Sequence, residues 1–160
     1  MSDNGNDRDG QQSARLADFL PYRLSITSNA ISSLIAQRYR ARFGLKIPEW
    51  RIMAVLGDAR TATQRELTDA TLMDKVAVNR ACKVLEERGL VKRLPNTQDG
   101  RSHLLELTED GLAVYSEIMP IARNSEREIF STLSETEREQ FREILQRLLA
   151  HTGTVGVGAD

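Results

Sequence analysis

Apolar residues recur at three- and four-residue spacings through most of the chain and alternate over one short stretch only, which predicts a mainly helical protein. Residues 14–43 read as a long helix, with a lead-in over Ala14–Phe19 and the main run from about Pro21, since proline is tolerated in a first turn. Leu24, Ile31, Leu34 and Ile35 form its apolar stripe, and Gly44 is its expected C-cap. A second helix opens at Pro48, buries Trp50, Met53, Ala54 and Leu56, and is expected to end at Gly57. Thr63-Gln64-Arg65-Glu66 has capping-box form and starts a third, with Leu67 and Ala70 inward. The fourth runs from Asp74 to Arg88 with Val78, Ala81, Cys82 and Leu85 on one side, and Gly89 stops it.

The period then changes. VKRL (91–94) and HLLEL (103–107) flank PNTQDGRS and predict a β-hairpin. Thr108 caps a fifth helix that passes Tyr115, Ile118 and Met119, with a kink expected at Pro120. Ser134-Glu135-Thr136-Glu137 opens a sixth, whose Phe141, Ile144, Leu145, Leu148 and Leu149 share one face. Residues 1–13 and 152–160 are polar or glycine-rich and read as disordered tails.

Composition narrows the function. The 160 residues suit one domain, and 22 basic against 23 acidic side chains give no overall polycationic character. Cys82 is alone, so no internal disulfide forms, and with only His103 and His151 beside it a structural zinc site is excluded. No cofactor is expected. The longest charge-free stretch of interest, 24–37, is polar and shorter than the ~20 apolar residues of a membrane span. A cytoplasmic protein with no membrane partner is expected. Paired catalytic carboxylates, a phosphate-cradling glycine loop and a nucleophile motif are all missing, so the chain does not read as an enzyme.

Charge is uneven along the chain. Residues 60–103 carry nine basic and six acidic side chains, whereas 106–151 carry five arginines and ten acids. Two short helices, a turn between them and a basic hairpin make a winged helix-turn-helix, whose second helix enters a major groove by its N-terminal part. Lys75, Val76, Ala77, Asn79 and Arg80 occupy that part, and Lys83 lies one turn on, within reach of phosphate. Arg101 at the hairpin tip can enter a minor groove, with Asp99 two residues earlier to orient its guanidinium.

The stretch TQRELTDATLMDKVAVNRACKVLEERGLVKRLPNTQDGRSHLLELTEDG (63–111) resembles the winged-helix core of the MarR family. TQREL, VNR, LEERGLVKR, Asp99-x-Arg101 and LELTEDG occur in the family's order, and the likeness extends over about 14–150. It implies a winged helix-turn-helix DNA-binding domain at 47–107, flanked by dimerisation helices at 14–46 and 108–151. It implies a homodimer on a pseudo-palindromic duplex operator, most often a repressor released by a small molecule or by oxidation. By position it adds Gln64 beside Lys83 as a phosphate contact. Asp74-Lys75-Val76-Ala77 stands where small hydroxyl residues are usual, so the operator sequence does not carry over.

The effector is less legible. Ser28 and Asn29 among the polar residues of the first helix, with Trp50, Met53 and Tyr115 as apolar walls, are candidates for a cleft. Arg38, Arg40 and Arg42 would suit the coenzyme A tail of an aromatic acyl thioester, the free acid being the other candidate. The opposing view is close helix packing and a solvated helix end. An effector-independent or thiol-controlled regulator is the alternative, although the predicted inner-face position of Cys82 favours a buried small side chain.

Overall fold

The computed structural model describes residues 15–156. A 3₁₀ turn at Leu16–Asp18 leads into α1 (Leu20–Phe43). Pro21 sits in the first turn of α1, and Gly44 closes it with φ 64°, its N–H donating to the Arg40 carbonyl. Next come α2 (Ile47–Ala59), β1 (Thr61–Thr63), α3 (Gln64–Thr71) and α4 (Lys75–Glu87). β2 (Val91–Pro95) and β3 (His103–Leu107) form the wing, followed by α5 (Glu109–Ile129), a 3₁₀ turn at Phe130–Thr132 and α6 (Glu135–Gly156).

The helix starts follow the local chemistry of the sequence. Thr63 accepts from Glu66 N–H and Glu66 accepts from Thr63 N–H at 2.7 Å, a reciprocal capping box. Asp74 Oδ1 accepts from Ala77 N–H at 2.8 Å, and Thr108 Oγ1 from Gly111 N–H at 3.0 Å. Ser134 and Glu137 repeat the box at the start of α6.

The hairpin belongs to a three-stranded antiparallel sheet in the order β1-β3-β2, with Thr61 opposite Glu106 and Val91 opposite Leu107. The strand pattern does not announce β1, because three residues are too few to show alternation. Other expectations also change. Gly57 lies inside α2 rather than at its end, for the Tyr115 ring rests where a Cβ would be, 2.4 Å away. It is the packing surface for α5. Ala70 is exposed, while Leu67 is buried. The fifth helix continues past Pro120 to Ile129; Gly111, Ile118 and Ser125 are buried at seven-residue intervals on both sides of it, and Pro120 itself is exposed.

The C-terminal tail expected from 152 is partly helix. α6 runs through Gly156, and Thr152 and Thr154 return their hydroxyls to the carbonyls of Leu149 and His151 at 2.7 Å. The expectation for 1–13 lies outside the described residues, as does that for 157–160.

The core does not stop at the winged unit. Ile52, Met53, Leu56, Leu67, Val78, Cys82, Leu85 and Leu105 share it with Ala36, Tyr39 and Leu45 from the α1 side and Ile118 from α5. Gly111 lies against the Leu90 backbone, its missing Cβ 2.0 Å from that carbonyl oxygen, which seats α5 on the base of the wing. Thr108 adds to this seam, donating from N–H to Leu90 O and from Oγ1 to Gly89 O. Of the stripe expected on α1, Leu24 and Leu34 are exposed and Ile35 packs against the core, while Ala36 and Tyr39 are the buried residues of the helix.

Candidate nucleic-acid interface

The two faces of α4 divide cleanly. Val78, Ala81, Cys82 and Leu85 are at most 3% exposed, whereas Lys75, Val76, Asn79, Arg80 and Lys83 are exposed and Ala77 is half-buried. The Asp74 cap fixes the first turn and sets which residues point outward.

Cations around this face fall into two groups. Arg93 is held by both carboxylate oxygens of Glu86 at 2.9 Å, and Lys92 by Glu106 at 2.8 Å. Those partners raise the pKa of each, keeping both charged. Arg88 donates to the carbonyls of Phe43 and Gly44, tying the end of α4 to the end of α1. Arg65, Lys75, Arg80 and Arg101 make no ion pair among the described residues, and Lys83 only a 4.0 Å contact with Glu87. Around this face, the cations without a close ion pair are therefore Arg65 on α3, Lys75, Arg80 and Lys83 on α4, and Arg101 at the wing tip. Arg65 stands beside Gln64 in TQREL, and its charge was the available signal for it.

At the wing tip, Asp99 orients Arg101 through the backbone and not through the guanidinium. Its Oδ1 accepts from Arg101 N–H at 3.1 Å, an Asx-type turn. Asn96 Nδ2 donates to Ser102 Oγ and closes the loop. The guanidinium is left exposed. Gln64 differs from its expected outward placement: its Nε2 is buried and without a hydrogen-bond partner.

The residues named for an effector site are only partly together. Trp50 lies between Tyr39 and Tyr115, with ring centroids 5.9 Å apart on each side. Met53 is sealed in the core, and Ser28 and Asn29 are exposed on α1. Arg38 is occupied by α5: it pairs with Glu128 at 2.7 Å and donates to buried Ser125 Oγ at 3.1 Å. Arg42 pairs with Glu117. Arg40 is exposed. The expected triple of free cations is thus mostly a polar seam between α1 and α5.

Cys82 is 0% exposed, and burial pushes its thiol pKa up to about 11; the Glu86 carboxylate adds to the rise, and Arg93 opposes it. Among the described residues no three metal-ligating side chains gather, and no helix is long and apolar enough to cross a membrane.

A helix-turn-helix, a three-stranded sheet with a projecting hairpin and an exposed cationic recognition face define a winged-helix protein. Residues 43–102 match the family model described as MarR family. The chain is 26% identical over 102 residues to the transcriptional regulator HosA of Escherichia coli, covering 64% of this chain and 76% of HosA. The structure of a MarR/EmrR family transcriptional regulator from Acinetobacter sp. ADP1 is similar at TM-score 0.80 and 25% identity, over 87% of this chain and 98% of that one. A MarR family regulator from Silicibacter pomeroyi is similar at TM-score 0.74 and 25% identity, over 86% and 92%. Over residues 43–102 the chain thus resembles the MarR family, and the relatives it matches are described as transcriptional regulators.

Proposed function

We propose that this regulator acts as a homodimer on a pseudo-palindromic operator and represses transcription until a small aromatic acid, free or as its thioester, releases it. The observation that carries the DNA-reading part is the division of cations into paired and unpaired. Residues 47–107 form the reading head. α4 enters the major groove with Lys75, Val76, Ala77, Asn79 and Arg80 toward the bases, while Lys83 and Arg65 meet phosphates. Gln64 serves through its backbone N–H in the first turn of α3, its side chain being turned inward. Arg101 enters the minor groove from a loop that Asp99 shapes.

The homodimer rests on apolar surface. Of sixteen large apolar side chains exposed among the described residues, thirteen lie between Leu16 and Leu34 or on α6. Such a concentration marks an association surface and supports residues 14–46 and 108–151 as the dimerisation helices.

Support for an aromatic ligand comes from the Tyr39–Trp50–Tyr115 row between α1, α2 and α5. Two fold neighbours at 22% identity add to it: NadR was solved in complex with 4-hydroxyphenylacetate, and Bordetella bronchiseptica BpsR is described as regulated in DNA binding by 6-hydroxynicotinic acid. Mutant MarR of E. coli, at the same identity, was solved with operator DNA. With Arg38 and Arg42 engaged by α5, the free acid is favoured over the thioester. A ligand that binds one dimer conformation better shifts the spacing of the two heads. Thiol control is disfavoured by the buried, protonated Cys82.

Gel-shift titration against a duplex selected by the protein tests the DNA assignment. Arg101→Ala is expected to weaken binding about tenfold, the order of a charge-assisted contact, with the melting temperature unchanged. Unchanged affinity would remove Arg101 from the interface. A thermal-shift panel of aromatic acids and their coenzyme A thioesters tests the effector, which raises the midpoint as its concentration rises.

A further inference from the structure

Two large apolar side chains interrupt the polar surface of the reading head. Leu72, in the turn after α3, is 73% exposed, and Val76, in the first turn of α4, is 67% exposed. Elsewhere on α4, Val78, Ala81, Cys82 and Leu85 are in the core, and Ala77 and Val84 are half-buried. Among the described residues, Val76 belongs neither to the core nor to the side chains packed against it.

Its position on α4 suggests what it meets. Asn79, Arg80 and Lys83 follow at three, four and seven residues, so all four occupy one helical face. The turn is properly formed, with Asp74 capping Ala77 N–H. A β-branched side chain on a formed helix has one strongly preferred rotamer. Val76 therefore holds two methyl groups at a set height above the helix, flanked by the exposed cations Lys75 and Arg80. Those cations match a polyanion, and an apolar knob among them requires an apolar spot on that polyanion. On the major-groove edge of a base pair, the one apolar group is the C5 methyl of thymine.

We infer that Val76 is a specificity-determining residue that reads a thymine through its 5-methyl group, once in each half-site. The inference rests on the proposed entry of α4 into the major groove. Cytosine at that position removes the methyl and brings an amino group against Val76, so the contact discriminates against C·G as well as favouring T·A. Neighbouring Asn79 and Arg80 supply hydrogen-bond donors, and Val76 supplies the shape reading that they lack.

The test uses the full chain. Duplexes are first selected from a randomised library, and each thymine of the consensus is replaced singly by deoxyuridine, which keeps every hydrogen bond and lacks only the methyl. Fluorescence anisotropy then compares the parent protein with Val76→Ala, whose exposed site leaves folding intact, as a melting curve verifies. One thymine per half-site is expected at which deoxyuridine weakens the parent about fourfold, the worth of one buried methyl. The same replacement is expected to leave Val76→Ala unchanged. Equal penalties in both proteins would overturn the role of Val76 while leaving DNA reading by α4 in place. Failure to enrich any duplex would overturn the placement of α4, and the inference with it.

Discussion

A single residue shows how burial sets chemistry. Cys82 faces the core between Val78 and Leu85, and the absence of water raises its pKa from 9.0 to about 11. The folded protein thus holds this proton more tightly than the unfolded chain. The corresponding stability is whole below pH 9 and is lost as the pH rises toward 11. Two outcomes are expected. Ellman's reagent reacts with Cys82 at the rate of global unfolding near neutral pH, and Cys82→Ala flattens the alkaline fall in urea-measured stability between pH 9 and 11. Rapid labelling of the native protein would contradict the burial. Residue orientation was also where pattern reading erred most. Gln64 follows a cap, a position that commonly points outward, yet its carboxamide turns under α3. Asp99 holds the Arg101 backbone because an Asx turn reaches an N–H only two residues on, whereas reaching a guanidinium needs a specific rotamer.

Elements were far more legible, because caps and periodicity are local. Thr63, Asp74, Thr108 and Ser134 all begin helices where a hydroxyl or carboxylate stands two or three residues ahead of free N–H groups. What failed were signals that depend on a distant partner. Gly57 reads as a stop until the Tyr115 ring is known to cover it, and β1 exists only because β3 supplies its ladder. Pro120, expected within the fifth helix, lies inside α5, with Gly111, Ile118 and Ser125 buried on both sides of it. The α3 cap carries a prediction of its own. Hydrogen bonds from Thr63 lower the pKa of Glu66, so its contribution is present above the ordinary carboxylate range and is lost as acid protonates it. Circular dichroism melts between pH 3 and 6 are expected to show a smaller acid loss in Glu66→Gln than in the parent. An identical acid limb would mean that the cap does not titrate with folding.

Across the whole molecule, the exposed apolar surface is the feature that a single chain leaves unresolved. Every residue of α6 from Glu135 to Val155 is exposed, although Phe141, Ile144, Leu145, Leu148 and Leu149 form a regular stripe. The periodicity announced a buried face, and among the described residues that face stays exposed; the proposed dimer would cover it. The same holds for Leu20, Leu24 and Ile26 at the other end. Sedimentation equilibrium is expected to give a dimer for the parent chain. Leu145→Glu with Leu148→Glu should shift it to monomer or to unfolded protein, since about 1.5–3 kcal/mol accompanies each buried leucine. A parent that sediments as a monomer at micromolar concentration would reject the assembly. The candidate effector residues were the least legible for a related reason: Arg38 and Arg42 look free in the sequence, and their use by Glu128 and Glu117 is a fact of helix pairing alone.

Tyr39 and Leu45 from one flank and Ile118 from the other are packed into the interior that also seats Val78 and Leu85 of α4. The part that reads and the parts around it therefore have no joint between them. An excised 47–107 fragment would lose the floor it stands on. For the same reason, a molecule wedged beside α1 or α5 needs no lever to be felt at α4. Under the proposed function it would have only to make their common interior settle differently, and the pitch at which α4 is offered to DNA would change with it.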